Sequence, residues 1–100
     1  MGYRSDVILG IKPKYKKEFN KTDIGKQGFF KIVKEDEDMI VYQGNELKWY
    51  DSYTDVKEIT KVIESDDDNF LIGLGEDGGK HSEWGEWYEY VGINHEIYIY

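Results

Sequence analysis

One segment constrains the fold more than any other. In DSYTDVKEITKVIES, residues 51–65, the side chains Val56, Ile59 and Ile63 fall on a single stripe at helical spacing. Ser52 or Thr54 can cap this helix, and Asp55 and Glu58 sit favourably in its first turn. Asp66, Asp67 and Asp68 follow it, where carboxylates oppose the helix dipole, so those three belong to a loop. A helix with one apolar stripe needs an apolar surface to lie on, and β-forming runs flank it on both sides.

Those runs set the rest of the chain. Tyr3 to Ile11 reads as a strand with Val7, Leu9 and Ile11 on one side. Pro13 suits the first turn of a short basic helix, in which Tyr15 and Phe19 share a face. Asp23-Ile24-Gly25 stops it. The segment from Gly28 to Tyr50 reads as two or three strands. The acidic run Glu35, Asp36, Glu37, Asp38 makes one turn, and Gln43-Gly44-Asn45 makes a second before Leu47 to Trp49. After the long helix, FLIGL is a strand. Trp87 to Val91 and Glu96 to Tyr100 then form a C-terminal hairpin joined through Gly92-Ile93-Asn94-His95. The order β-α-β-β-α-β-β predicts an α+β fold, an antiparallel or mixed sheet with two helices on one face.

At 100 residues this is one domain, residues 1–100, and 39% apolar content with 16% aromatics supports a packed core. The absence of cysteine excludes disulfides and thiolate metal sites. No apolar run reaches the roughly 18 residues of a membrane span. VILGI, interrupted by Lys12, is too short for a signal peptide. Asp6 stands where a myristoylation pattern requires Ser or Thr. A soluble intracellular protein is the expectation.

The net charge of −8 is unevenly spread. Residues 1–34 carry nine basic and three acidic residues, a net of +6, whereas residues 35–100 carry four lysines and 18 acids, a net of −14. Such a field steers cationic partners and repels nucleic acid.

FLIGLGEDGGK, residues 70–80, places Gly73, Gly75 and Gly78 in the spacing G-x-G-x-x-G. In a dinucleotide fold these glycines must open a helix, but the residues that follow have no helical stripe, and Glu76 and Asp77 would repel phosphate. A P-loop needs glycine where Leu74 stands and Ser or Thr where His81 stands. The glycines instead suit a flexible connection between strands. Asp66 and Asp68 match the first two EF-hand ligand positions, but Phe70 and Leu71 break the pattern. His81 and His95 have no metal-ligand spacing and read as loop residues. No catalytic residue, metal or cofactor is expected.

Trp84, Trp87, Tyr88 and Tyr90 interleave with Glu83, Glu86 and Glu89. Acids among aromatics oppose a phosphate backbone but suit a protein interface, where Trp anchors and the acids meet basic groups. Direct nucleic-acid binding by Lys12, Lys14, Lys16, Lys17 and Lys21 would have to overcome the net repulsion. The alternative is a self-associating accessory or structural protein without catalytic activity, a homodimer formed by strand pairing at a terminal strand with a Tyr98/Tyr100 face.

Three segments, MGYRSDV, LKWYDSYTDVKEI and FLIGLGED, together resemble a group of small tailed-bacteriophage proteins that open with M-G-Y-R-S-[DE]-V. Those proteins carry K-W-Y-[DE]-x-Y-x-x-V before a helix and then a strand ending in G-E-[DE]. The resemblance covers about half the chain and implies a phage setting and a host-cytoplasmic location. The expectation is a non-enzymatic protein that inhibits or modulates a host protein with a basic surface, such as a CRISPR effector or another nuclease. Its partner-binding residues would be Glu35, Asp36, Glu37 and Asp38, Asp66, Asp67 and Asp68, and Glu76 and Asp77, with Trp84 or Trp87 as anchor.

Overall fold

A computed structural model describes residues 4–22, 28, 30–47, 49, 54–75, 79–93 and 97–99. Strand β1 (Ser5–Ile11) leads through a 3₁₀ turn (Pro13–Tyr15) into helix α1 (Lys16–Lys21). Strands β2 (Lys31–Glu35) and β3 (Ile40–Leu47) follow, then helix α2 (Thr54–Ile63), strand β4 (Phe70–Gly75) and strand β5 (Lys80–Trp84). A second 3₁₀ turn (Trp87–Glu89) and the hairpin β6 (Val91–Ile93) and β7 (Ile97–Ile99) complete the described elements. The first five strands form one antiparallel sheet in the order β2-β3-β1-β4-β5, and β6 and β7 pair separately. The fold is α+β, mostly sheet.

The central strands β1 and β4 explain the layering. From Val7 to Ile11 in β1 and throughout β4 every residue is apolar or glycine and buried, so a single covered face would leave about half of these side chains in water. Val7, Leu9, Ile11, Ile40, Tyr42 and Leu71 pack under α1 and α2, meeting Phe19, Val56, Ile59 and Ile63. Ile8, Met39, Val41, Phe70, Ile72 and Leu74 fill the opposite face, where Val91, Trp87, Tyr90 and Ile99 cover them. The aromatic C-terminal segment is therefore the third layer.

Several local expectations are corrected. Gln43-Gly44-Asn45 is not a turn, because β3 runs unbroken through it. Ser5 pairs with Leu47 but Val7 with Gly44, so β3 takes in one extra residue there as a β-bulge. Glycine and asparagine serve turns and bulges alike, so the triplet by itself does not distinguish the two. Trp87–Glu89 is a 3₁₀ turn rather than a strand, and Gly92 and Ile93 lie in β6 rather than in the hairpin connection. His81 belongs to β5, not to a loop, and Gly73 and Gly75 lie inside β4.

Gly73 has a steric purpose, since a Cβ there would overlap the His81 ring. That ring hydrogen-bonds Ser5 through Nε2 (2.8 Å) and Ser82 through Nδ1 (2.9 Å), tying β5 to β1 across β4. Because β5 follows β4, no helix opens behind these glycines, and a dinucleotide cradle has no anion-binding terminus. Residues 23–27, 51–53, 76–78, 94–96 and Tyr100 lie outside the described residues, and with them Ile24-Gly25, Ser52, Gly78 and His95. Of the Tyr98/Tyr100 face, only the backbone pairing of Tyr98 with Gly92 is described.

The outer strand β2 is exposed throughout, with Ile32 and Val33 each nearly half accessible. Two features oppose pairing with another strand. Val33 is an extra residue between the Ile32–Tyr42 and Lys34–Val41 pairs, and Lys31 and Lys34 flank it.

Tyr42 is buried with no hydrogen-bond partner for its hydroxyl among the described residues, its ring lying 4.3 Å from that of Phe19 between centroids. A buried orphan hydroxyl costs free energy, so Tyr42→Phe is expected to stabilise the fold by about 1 kcal/mol. Urea denaturation measures this, and a destabilised variant would show that the hydroxyl has a partner.

Candidate functional site

The antiparallel order brings four connections to one end of the sheet. There β1 ends at Ile11, β2 ends at Glu35, β3 begins at Ile40, β4 begins at Phe70 and β5 ends at Trp84. Acids distant in sequence consequently meet. A groove of about 480 Å3 opens between these connections, with Met39 and Tyr90 in its lining. Asp38 comes from the β2–β3 turn, Asp67 and Asp68 from the α2–β4 loop, and Glu86 and Glu89 from the 3₁₀ turn. Among the described residues, Lys12 is the single basic one in the lining. Five carboxylates against one ammonium leave a local charge of −4.

Each wall has a local cause. In the β2–β3 turn, Asp36 accepts the backbone N–H groups of Asp38 (2.8 Å) and Met39 (2.9 Å) through Oδ1. These hydrogen bonds to its charged form hold the Asp36 carboxyl below the usual carboxylate range. The second loop repeats the device. Asp66 accepts the Asp68 N–H (2.9 Å), which is the main reason its carboxyl is also held low, with Lys12, Tyr15 and Lys14 adding to it. The 3₁₀ turn sets the third wall, because at about three residues per turn positions 86 and 89 fall on the same side. Gly85 precedes it at φ 69°, a left-handed conformation, and a Cβ there would overlap the Asn69 carbonyl oxygen.

The floor is aromatic. Tyr90 stacks on Phe70 at 4.8 Å with 10° between ring planes. Burial pushes the Tyr90 phenol up from its ordinary value, and Glu89, Asp36, Asp38 and Asp68 push it further. One hydroxyl thus feels carboxylates from three separate stretches of chain.

Not every predicted acid reaches the groove. Glu35 pairs with Lys16 at 3.5 Å. Asp36 and Asp66 are turn formers, and Asp66 further meets Tyr15 Oη (3.2 Å) and Lys14 Nζ (3.6 Å). Glu37 is exposed and outside the lining. Asp68 pairs with Lys12 at 2.8 Å. Asp38, Asp67, Glu86 and Glu89 have no ion-pair partner among the described residues. Glu76 and Asp77 lie outside the described residues. The flanking Gly75 N–H donates to the Gly79 carbonyl (2.8 Å) at the other end of the sheet, where Gly75 pairs with Ser5.

The two expected anchors are both drawn into packing. Trp84 lies against the helix-side core, with its ring nitrogen buried and without a hydrogen-bond partner among the described residues. Trp87 packs against the opposite core and meets Lys80 at 5.6 Å and Tyr88 edge-on at 5.9 Å. Tyr88, at 58% exposure, is the accessible aromatic of that segment. Glu86, Glu89, Tyr90 and Lys12 were missed as groove residues. The alternation of acids and aromatics from Glu83 to Tyr90 was the available signal, but the strand expected from Trp87 to Val91 left Glu86 outside it, whereas the 3₁₀ turn brings Glu86 and Glu89 together.

The depressed Asp36 carboxyl makes a prediction with a definite sign. A group whose folded-state pKa is lowered contributes stability above its unfolded pKa, near pH 4, and loses it as pH falls through the folded value. Asp36→Asn keeps an oxygen to accept both N–H groups but removes the titration. The decline of Tm below pH 4 is expected to become shallower in this variant, and an unchanged acid limb would contradict the assignment.

No known family model matches the chain, and no curated protein or solved structure shows significant similarity to it. Among the described residues, no helix is long and apolar enough to cross a membrane, and no cluster of three potential metal ligands occurs.

Proposed function

We propose that this chain is a binding protein whose acidic groove docks on a basic surface of a host protein, in the manner of a small phage inhibitor or modulator. The observation that supports this reading is the convergence of Asp38, Asp67, Asp68, Glu86 and Glu89 on one groove with a local charge of −4. Proteins that hold nucleic acid line their channels with Lys and Arg to match about one phosphate per ~1.7 Å of duplex axis, and a rigid array of carboxylates competes for those same side chains. A CRISPR effector or another nuclease in the host cytoplasm has the required surface. The backbone that carries these acids is fixed by turns built from Asp36, Asp66 and Gly85, so little backbone ordering is lost on binding.

Direct nucleic-acid binding is disfavoured on the same grounds. Lys12, Lys14 and Lys16, three of the five lysines of the basic segment, already face Asp68, Asp66 and Glu35. Self-association through β2 is opposed by its bulge and its lysines.

Affinity capture from host lysate at about 50 mM and about 500 mM salt tests the reading, because screening weakens contacts between exposed charges. The expected partner is basic, is released by salt and is displaced by duplex DNA. A partner retained at high salt and indifferent to DNA would refute electrostatic mimicry.

A further inference from the structure

We infer that Lys12 is a built-in competitor for the acidic groove: its ammonium occupies one end, on Asp68, and a cationic side chain of the partner takes its place. This rests on the reading of the groove as a docking site and adds a regulatory element to it. The groove already holds an ammonium ion, since Lys12 lies in its lining with Nζ 2.8 Å from Asp68 Oδ2. That contact, with hydrogen bonding first and the fields of Asp68 and Asp66 after it, raises the Lys12 pKa.

The side chain is free to leave because the backbone is held by other means. The Lys12 N–H donates to Asn69 Oδ1 at 2.9 Å, and its carbonyl accepts the Tyr15 N–H at 2.9 Å. Asn69 is fully buried and donates through Nδ2 to the Ile63 carbonyl at 3.2 Å, closing the end of α2. Displacing the ammonium therefore leaves this junction intact. An ion pair with side-chain exposures of 36% and 64% is worth no more than about a fivefold factor in an equilibrium. A competitor of that strength delays weak cations and yields to a multivalent one. Tyr90 and Met39 in the lining favour an arginine as the incoming group, because a guanidinium stacks on aromatic surface and is less strongly hydrated than an ammonium.

Lys14 supplies the internal control. It pairs with Asp66 at 3.6 Å, is 66% exposed and lies outside the groove lining. Lys12→Met and Lys14→Met change the net charge equally, so only a local effect distinguishes them. The experiment is fluorescence anisotropy of a labelled hexa-arginine peptide at about 50 mM salt with wild type, Lys12→Met, Lys14→Met and, as a polar substitute that preserves solubility, Lys12→Gln. Circular dichroism confirms that each is folded. Both Lys12 variants are expected to bind about three- to fivefold more tightly and Lys14→Met less than about twofold. Equal gains from Lys12→Met and Lys14→Met, or no gain from the Lys12 variants, would overturn the competitor role while leaving the groove as the docking site. Absence of peptide binding by wild type and Lys12 variants alike would overturn the docking site and the competitor together.

Discussion

Phe70→Ala is expected to lower stability by about 3–5 kcal/mol, a large part of the 5–15 kcal/mol typical of a domain this size. The ring is 1% exposed at the start of β4, packed between the sheet and the C-terminal layer and stacked on Tyr90. Its site is defined by Gly10, which pairs with Phe70 across the β1–β4 ladder. A Cβ at Gly10 would enter the space of the ring, so Gly10→Ala alone is expected to cost about 1–3 kcal/mol. In the Phe70→Ala background that space is empty, and the added methyl should cost little or restore stability. Urea denaturation of the four proteins completes a double-mutant cycle. Additive losses would mean that the ring does not lie over Gly10. The same substitution removes the support beneath Tyr90, so groove binding should weaken even where the fold survives.

The second large effect concerns binding. Reversing Asp38, Glu86 and Glu89 to lysine takes the groove from −4 to +2. With each exposed contact worth about 0.2–1 kcal/mol and its sign inverted, affinity for a basic partner should fall about 100-fold at low salt. Stability should move by less than about 0.5 kcal/mol per site, because all three are exposed and none has an ion-pair partner among the described residues. The matched control reverses Glu58, Glu64 and Glu83, which are exposed, lie outside the groove and change net charge equally. Binding measured by calorimetry against the captured partner should separate the two triples. Equal losses would assign the attraction to bulk charge and remove the groove from the proposal.

The two triples also mark where sequence reading stopped. Asp38, Asp67 and Asp68 were recognisable as loop acids because a turn and a helix end can be inferred from neighbours in sequence. Glu86 and Glu89 were visible only as part of an alternating acidic and aromatic run, whose backbone form depends on what it packs against. Trp84 and Trp87, expected as anchors for a partner, are half-buried against the two faces of the core. Tyr88 gave no sequence signal that set it apart from Tyr90, although one is exposed and the other is groove floor.

Local periodicity and composition were enough to determine the stripe of α2, the inward residues of β1, the turn at Asp36 and the α+β class, since each is decided by residues a few positions apart. Strand pairing was not. Whether Gln43-Gly44-Asn45 turns or bulges is decided by β1, nearly forty residues away, and the second covered face is decided by a C-terminal segment that can pack only once the sheet exists. The groove itself is a product of topology: antiparallel order gathers alternate connections at one end of the sheet, and no short-range pattern carries that information.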